Sequence, residues 1–90
     1  AYDETDDNLN LTLVPNPTQG LVTVLFNSET EHYYTIDLVD IFGRNITSYS
    51  GNAKEGGNEK ELDLGNIEAG LYLVIFTLDG QREVEKLIIE

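Results

Sequence analysis

The chain has 90 residues, 40% of them hydrophobic, with 17 acidic and 5 basic side chains and a formal charge of −12. That length makes one small domain, burying roughly 60–65% of the surface its unfolded chain exposes, and no apolar run approaches the ~20 residues of a membrane-spanning helix. The charge argues against nucleic acid, whose phosphates are held by cationic contacts, and against anionic lipid; without cysteine there are no disulfides and no thiolate metal sites.

The chain begins without methionine or a basic-then-apolar leader, and is read as part of a longer protein. Residues 1–8 hold Asp3, Glu4, Asp6 and Asp7 and no base. Clustered carboxylates can build a calcium site, but a calcium loop alternates oxygen ligands around a turn glycine. Neither feature is present, so the expectation is an acidic flexible linker, too poor in apolar groups to fold, ahead of a folded domain over 9–90.

Residues 9–14 alternate Leu9, Leu11 and Leu13 against Asn10, Thr12 and Val14, the period of a strand. Pro15-Asn16-Pro17 ends it. Each proline fixes its own φ, lacks a donor and holds the preceding residue extended, which makes a stiff corner released at Thr18-Gln19-Gly20. Residues 21–27 form a second strand with Val22, Val24 and Phe26 on one side. Residues 28–32 are polar and turn-like, and His32, the one histidine, has no cysteine or second histidine with which to share a metal.

Residues 34–42 read as a third strand, with Ile36, Leu38 and Asp40 on one face and Thr35, Asp37, Val39 and Ile41 on the other. Phe42-Gly43-Arg44-Asn45 reads as a tight hairpin whose glycine takes a φ that other residues avoid. Residues 45–49 resume an extended pattern anchored by Ile46, and 50–58, Ser-Gly-Asn-Ala-Lys-Glu-Gly-Gly-Asn, reads as a flexible loop. Residues 59–64 are a short strand with Leu62 and Leu64 inward, and Ile67 is expected to plug the end of the core.

Residues 70–78, Gly-Leu-Tyr-Leu-Val-Ile-Phe-Thr-Leu, contain no charge. So apolar a run is expected to be the central strand, covered on both faces. Asp79-Gly80 is a strong hairpin signal, and residues 81–89 return with Val84, Lys86 and Ile88 on one side and Glu83, Glu85, Leu87 and Ile89 on the other. A lysine among apolar neighbours guards a sheet edge against unwanted pairing. Phe26, Phe42, Tyr72 and Phe76 read as core, one of Tyr33 and Tyr34 as facing out, and Tyr49 as exposed beside the glycine-rich loop. No stretch holds a helical period. The expected fold is all-β, a seven-stranded immunoglobulin-like antiparallel β-sandwich.

The sequence offers little chemistry. Ser28, Ser48 and Ser50 lack a nucleophile-elbow context, and one loop histidine without cysteine argues against a nucleophilic triad. A glycosidase-like carboxylate pair needs a cleft for which so small a sandwich has little room. The glycines form no phosphate loop. No catalytic residue, metal or cofactor is expected. Tyr33, Tyr34 and Tyr49 leave open an immunoglobulin-like or carbohydrate-binding accessory module of a secreted enzyme, and a passive spacer between domains is a further alternative.

The order of punctuation goes further. Pro15-Asn16-Pro17 follows an initial strand, Asp40-Ile41-Phe42-Gly43-Arg44 marks a mid-chain hairpin, Leu62-Asp63-Leu64 leads into Gly70-Leu71-Tyr72, and Lys86-Leu87 lies near the end. In that order, over 9–90, the chain resembles the type A C-terminal sorting domain of the type IX secretion system of Bacteroidetes. The resemblance implies a non-catalytic signal at the end of an exported protein, directing upstream cargo from the periplasm through the outer-membrane translocon. It implies as partners the outer-membrane components of that system and a sortase-like protease, with cleavage and then release or attachment at the cell surface. Pro15, Asn16, Pro17, Gly43, Gly70, Tyr72 and Lys86 match the motif positions, and Lys86, hardest to explain by packing, points to the last strand as the recognition surface. Residues 1–8 would then join cargo to signal. An edge-strand dimer is a further expectation, because exposed edges invite pairing. Val14 stands where an aromatic often precedes the Pro-Asn-Pro, and Leu87-Ile88-Ile89-Glu90 lacks the basic residue many members carry.

Overall fold

The structure, a computed structural model, describes residues 9–90. The acidic segment 1–8, expected as a linker, lies outside the described residues. Among these the chain forms strands β1 (Thr12–Val14), β2 (Leu21–Ser28), β3 (His32–Asp40), β4 (Asn45–Ala53), β5 (Gly56–Asp63), β6 (Gly70–Leu78) and β7 (Gln81–Ile89). They make two sheets, β1-β2-β5 and β4-β3-β6-β7, with every neighbouring pair antiparallel. This is the seven-stranded immunoglobulin-like sandwich that the period-two alternation and turn spacing anticipated.

The core lies between the sheets. Val22, Val24 and Phe26 from β2, with Leu62 from β5, meet Ile36 and Leu38 from β3, Val74 and Phe76 from β6, and Leu87 and Ile89 from β7. Phe26, Tyr34 and Phe76 pack ring to ring, their centroids 4.6 to 5.7 Å apart. Tilted and edge-on contacts of this kind suit the aromatic quadrupole and add to the area buried. Leu9 and Leu13 are buried, and Ile67 packs against the core from the loop after β5, as expected. The strand assigned to 9–14 is shorter than its alternation suggested: Asn10 has a positive φ of 49°, so regular pairing begins only at Thr12.

Four expectations change. The stretch 50–58 is not a loop, because β4 runs on through Ala53 and β5 starts at Gly56. The Asn58 side chain closes the short connection, accepting from the Lys54 N–H at 3.0 Å and donating to the Lys54 and Gly56 carbonyls at 2.9 and 3.0 Å. Glycine weakens a strand by propensity, but here close approach requires it: a Cβ at Gly51 would fall 2.7 Å from the Tyr34 hydroxyl.

Phe42, expected in the core, is 78% exposed. A register shift between Leu38 and Val39 breaks the alternation, so Val39 and Asp40 are both buried and the chain turns outward after them. Ile46, expected as an anchor, is exposed for the same reason. The third change concerns β6. It is central, between β3 and β7, but only Tyr72, Val74, Phe76 and Leu78 are buried; Leu71 is exposed and Leu73 and Ile75 are half-buried. The domain covers one face of its most apolar strand and leaves the other open.

The last change is His32, which opens β3 rather than lying in a loop, with Nε2 3.3 Å from the Asp79 carboxylate.

Candidate recognition surface

The seven motif residues are scattered from position 15 to position 86, and the fold gathers them across one end of the sandwich. The row is set by strand register: Asp40 pairs with Tyr72, Tyr72 with Leu87, and Gly70 with Ile89. Against the free edge of β7 lies the Pro15-Asn16-Pro17 corner. The Asn16 amide donates to the Lys86 carbonyl at 2.7 Å and its oxygen accepts from the Ile88 N–H at 3.1 Å. A side-chain amide has the same donor–acceptor pair as a peptide unit, so Asn16 acts as one residue of an added strand. Both X-Pro bonds of the corner are cis. Its two prolines offer no N–H, so the added piece gives a further strand few donors to pair with.

Thr18 continues this edge. Its N–H donates to the Ile88 carbonyl at 2.9 Å and its carbonyl accepts from the Glu90 N–H at 2.8 Å, a short parallel bridge. The Thr18 side chain is buried, and its hydroxyl accepts from the Gly20 N–H while donating to the Leu21 carbonyl. The loop that leads into β2 of one sheet is thereby sewn to the last strand of the other.

Tyr72 points into the core and its hydroxyl donates to the Glu68 carbonyl at 2.7 Å, holding the loop between β5 and β6. A Cβ on Gly70 would lie 3.6 Å from the same ring, an ordinary contact. Gly43 occupies the β3–β4 turn with a φ of 85°. Asp40 organises that turn: one carboxylate oxygen accepts from the Phe42 and Arg44 N–H groups, both at 2.9 Å, and the other from Arg44 Nε at 2.8 Å. The Arg44 backbone N–H, above all, holds the Asp40 carboxyl below its ordinary range. Desolvation opposes this, and the Arg44 side chain and the Phe42 N–H reinforce it. Arg44 also lies over the exposed Phe42 ring, 5.7 Å from its centroid.

Of the residues expected from sequence, Pro15, Pro17, Gly43 and Gly70 shape this end through the backbone, and Asn16 and Tyr72 through side-chain hydrogen bonds. Lys86 presents its carbonyl to Asn16 and its side chain to solvent on the outer face. The sequence reading placed Asp40 at the hairpin and Thr18 after the corner but did not count either among the recognition residues. An aspartate three residues before a glycine is a turn signal that could have found the first; nothing local marks the second, whose partners are on β7. The three tyrosines of the carbohydrate reading do not share a surface: Tyr33 is exposed, Tyr34 is in the core, and Tyr49 packs against the core rather than lying open. Among the described residues, no three or more histidine, aspartate or glutamate side chains converge as a metal site, and no helix is long and apolar enough to cross a membrane.

The chain belongs to the family described as the secretion system C-terminal sorting domain, which it matches over residues 12–90. It is a type IX secretion sorting signal, marking a protein for export across the outer membrane to the cell surface or the extracellular space, and domains of this kind are in general non-catalytic. No curated protein matches it in sequence. In fold it is similar to part of the dimeric latent PorU from Porphyromonas gingivalis, with a TM-score of 0.73 at 20% identity. That likeness covers 88% of this chain and 9% of the PorU chain.

Proposed function

We propose that the secretion machinery reads this domain as a folded unit, at the end where the Pro-Asn-Pro corner, the Asp40 turn and the last strand meet. The observation that carries the proposal is the Asn16 clamp, which ties residue 16 to residues 86 and 88 and so makes motif positions from both ends of the chain one surface. Such a surface exists only in the folded state, so a partner that binds it tests completion of the fold. On this reading the domain itself is not an enzyme. Residues 1–8 join it to an upstream cargo domain, and a sortase-like protease acts on that joint.

The test is export of a periplasmic reporter fused ahead of the chain in a type IX-competent strain. Asn16→Ala and Arg44→Ala, at the proposed end, should leave the reporter in the periplasm while the purified domains remain folded. His32→Ala and Lys54→Ala, away from it, should export like the parent. Equal export by all four variants, or a defect confined to the second pair, overturns the proposal.

A further inference from the structure

The outer face of the four-stranded sheet sets the motif residue Lys86 among aliphatic side chains that are not motif positions. Lys86 lies on β7, the edge strand of that sheet, beside the Pro-Asn-Pro corner. On β7 its neighbours two residues away on the same face are Val84 and Ile88, 51% and 43% exposed; directly across on β6 is Leu73, flanked on the diagonals by Leu71, 44% exposed, and Ile75. Residues directly opposite on paired strands have Cβ atoms about 5 Å apart, and diagonal ones about 7–8 Å. One cation is therefore bordered by five aliphatic side chains, two along its own strand and three on β6. Its ammonium has no ion-pair partner among the described residues. The acid on this face, Asp37, accepts from the Ser48 hydroxyl at 2.7 Å.

The placement runs against the charge of the whole chain. With 17 acids and 5 bases at hand, β7 sends Arg82 and Lys86 to the outer face and keeps Glu83 and Glu85 on the side of Leu87 and Ile89. In the other sheet, β5 sends Glu59, Glu61 and Asp63 outward. An apolar patch with a cation along its border is poorly suited to a purely apolar occupant that covers it, because burying an unpaired ammonium is costly.

We propose that this face docks a protein partner whose own apolar surface encloses a carboxylate, and that this carboxylate pairs with Lys86. The aliphatic side chains exclude water from the β6 side and the ion pair sets register and partner choice. The proposal rests on the sorting reading, since the partner belongs to the export route. A second copy is a poor occupant: a face-to-face contact brings two positive faces together without supplying a carboxylate, and a contact with the carboxylates of β5 is head-to-tail and gives a ring or a filament, not a two-fold dimer. An anionic membrane surface is disfavoured by the net charge.

The test again uses the reporter fusion, with Lys86→Met, Lys86→Arg and, as a bulk-charge control, Lys54→Met. A benzophenone photo-crosslinker at position 84 is compared with one at position 61 on the opposite sheet. Lys86→Met keeps the aliphatic stem and should lower export by at least about tenfold, the loss expected when one member of a desolvated charge pair is removed, with the melting temperature of the purified domain unchanged. Lys86→Arg should restore export to within about threefold, since it keeps the charge but not the geometry. Lys54→Met should export normally, and position 84, not 61, should cross-link to a protein other than the fusion itself. Export of Lys86→Met at the parental level, or cross-links only to a second copy, overturns the docking surface and leaves the sorting reading intact. Failure of the unsubstituted fusion to leave the periplasm overturns both.

Discussion

Replacing Asn16 by alanine tests whether the corner is held by the last strand or merely lies beside it. The substitution removes two hydrogen bonds, to the Lys86 carbonyl and from the Ile88 N–H. A hydrogen bond contributes about 0.5–1.5 kcal/mol net, and both of these are exposed, so water replaces part of what is lost. The expected destabilisation is about 1–2 kcal/mol, which for a domain of this size lowers the melting temperature by roughly 4–16 °C. Thermal unfolding followed by circular dichroism gives the first number. Amide hydrogen exchange gives the second, since the Ile88 N–H should lose protection while Val74, in the centre of β6, keeps its own. Asn16→Asp sharpens the test: a carboxylate can still accept from Ile88, but it faces the Lys86 carbonyl with no proton to offer. Aspartate should therefore fail to rescue. A melting temperature within 1–2 °C or so of the parent in both variants, together with unchanged Ile88 protection, would refute the idea that Asn16 serves as an added strand residue.

Further outcomes follow from the same geometry. Gly51→Ala places a Cβ 2.7 Å from the Tyr34 hydroxyl and 2.9 Å from Cζ, and the ring cannot retreat because Phe26 and Phe76 flank it. Overpacking of about 1–3 kcal/mol should outweigh the ~0.4–1 kcal/mol gained by removing glycine from the unfolded chain. Tyr34→Phe should recover part of the loss in a double-mutant cycle, whereas a Gly51→Ala variant more stable than the parent would mean that the close approach is not enforced. The Asp40 carboxyl is held below its ordinary 3.8, so its contribution is fully present above that value and is lost as pH falls through the lower folded one. Asp40→Asn should accordingly flatten the decline of stability as pH falls below that ordinary value, and identical acid limbs in parent and variant would contradict this.

Much of the fold was legible because its strands are short and alternate cleanly. Val22, Val24 and Phe26, or Leu87 and Ile89, announce their face by period alone, and Asp79-Gly80 does form the turn, with both residues at positive φ. The failures have local physical causes. Gly51, Gly56 and Gly57 look like loop to any propensity scale, yet β4 and β5 exist because β3 and β2 pair with them. Strand preference depends on neighbours more than on the residue itself. Phe42 looked like core because hydrophobic patterning carries no trace of a register shift three residues earlier. The motif residues could be named in order, but their convergence could not be read, since the partners of Asn16 lie 70 and 72 residues away in sequence.

The stitching of Thr18 and Asn16 to β7 has a temporal consequence. The corner is made before its partners, so a chain interrupted before Lys86 carries Pro-Asn-Pro with nothing to dock against and a core lacking Leu87 and Ile89. A receptor that grips the assembled end would pass over such products. The domain would then certify, besides a destination, that translation of everything before it has run to completion.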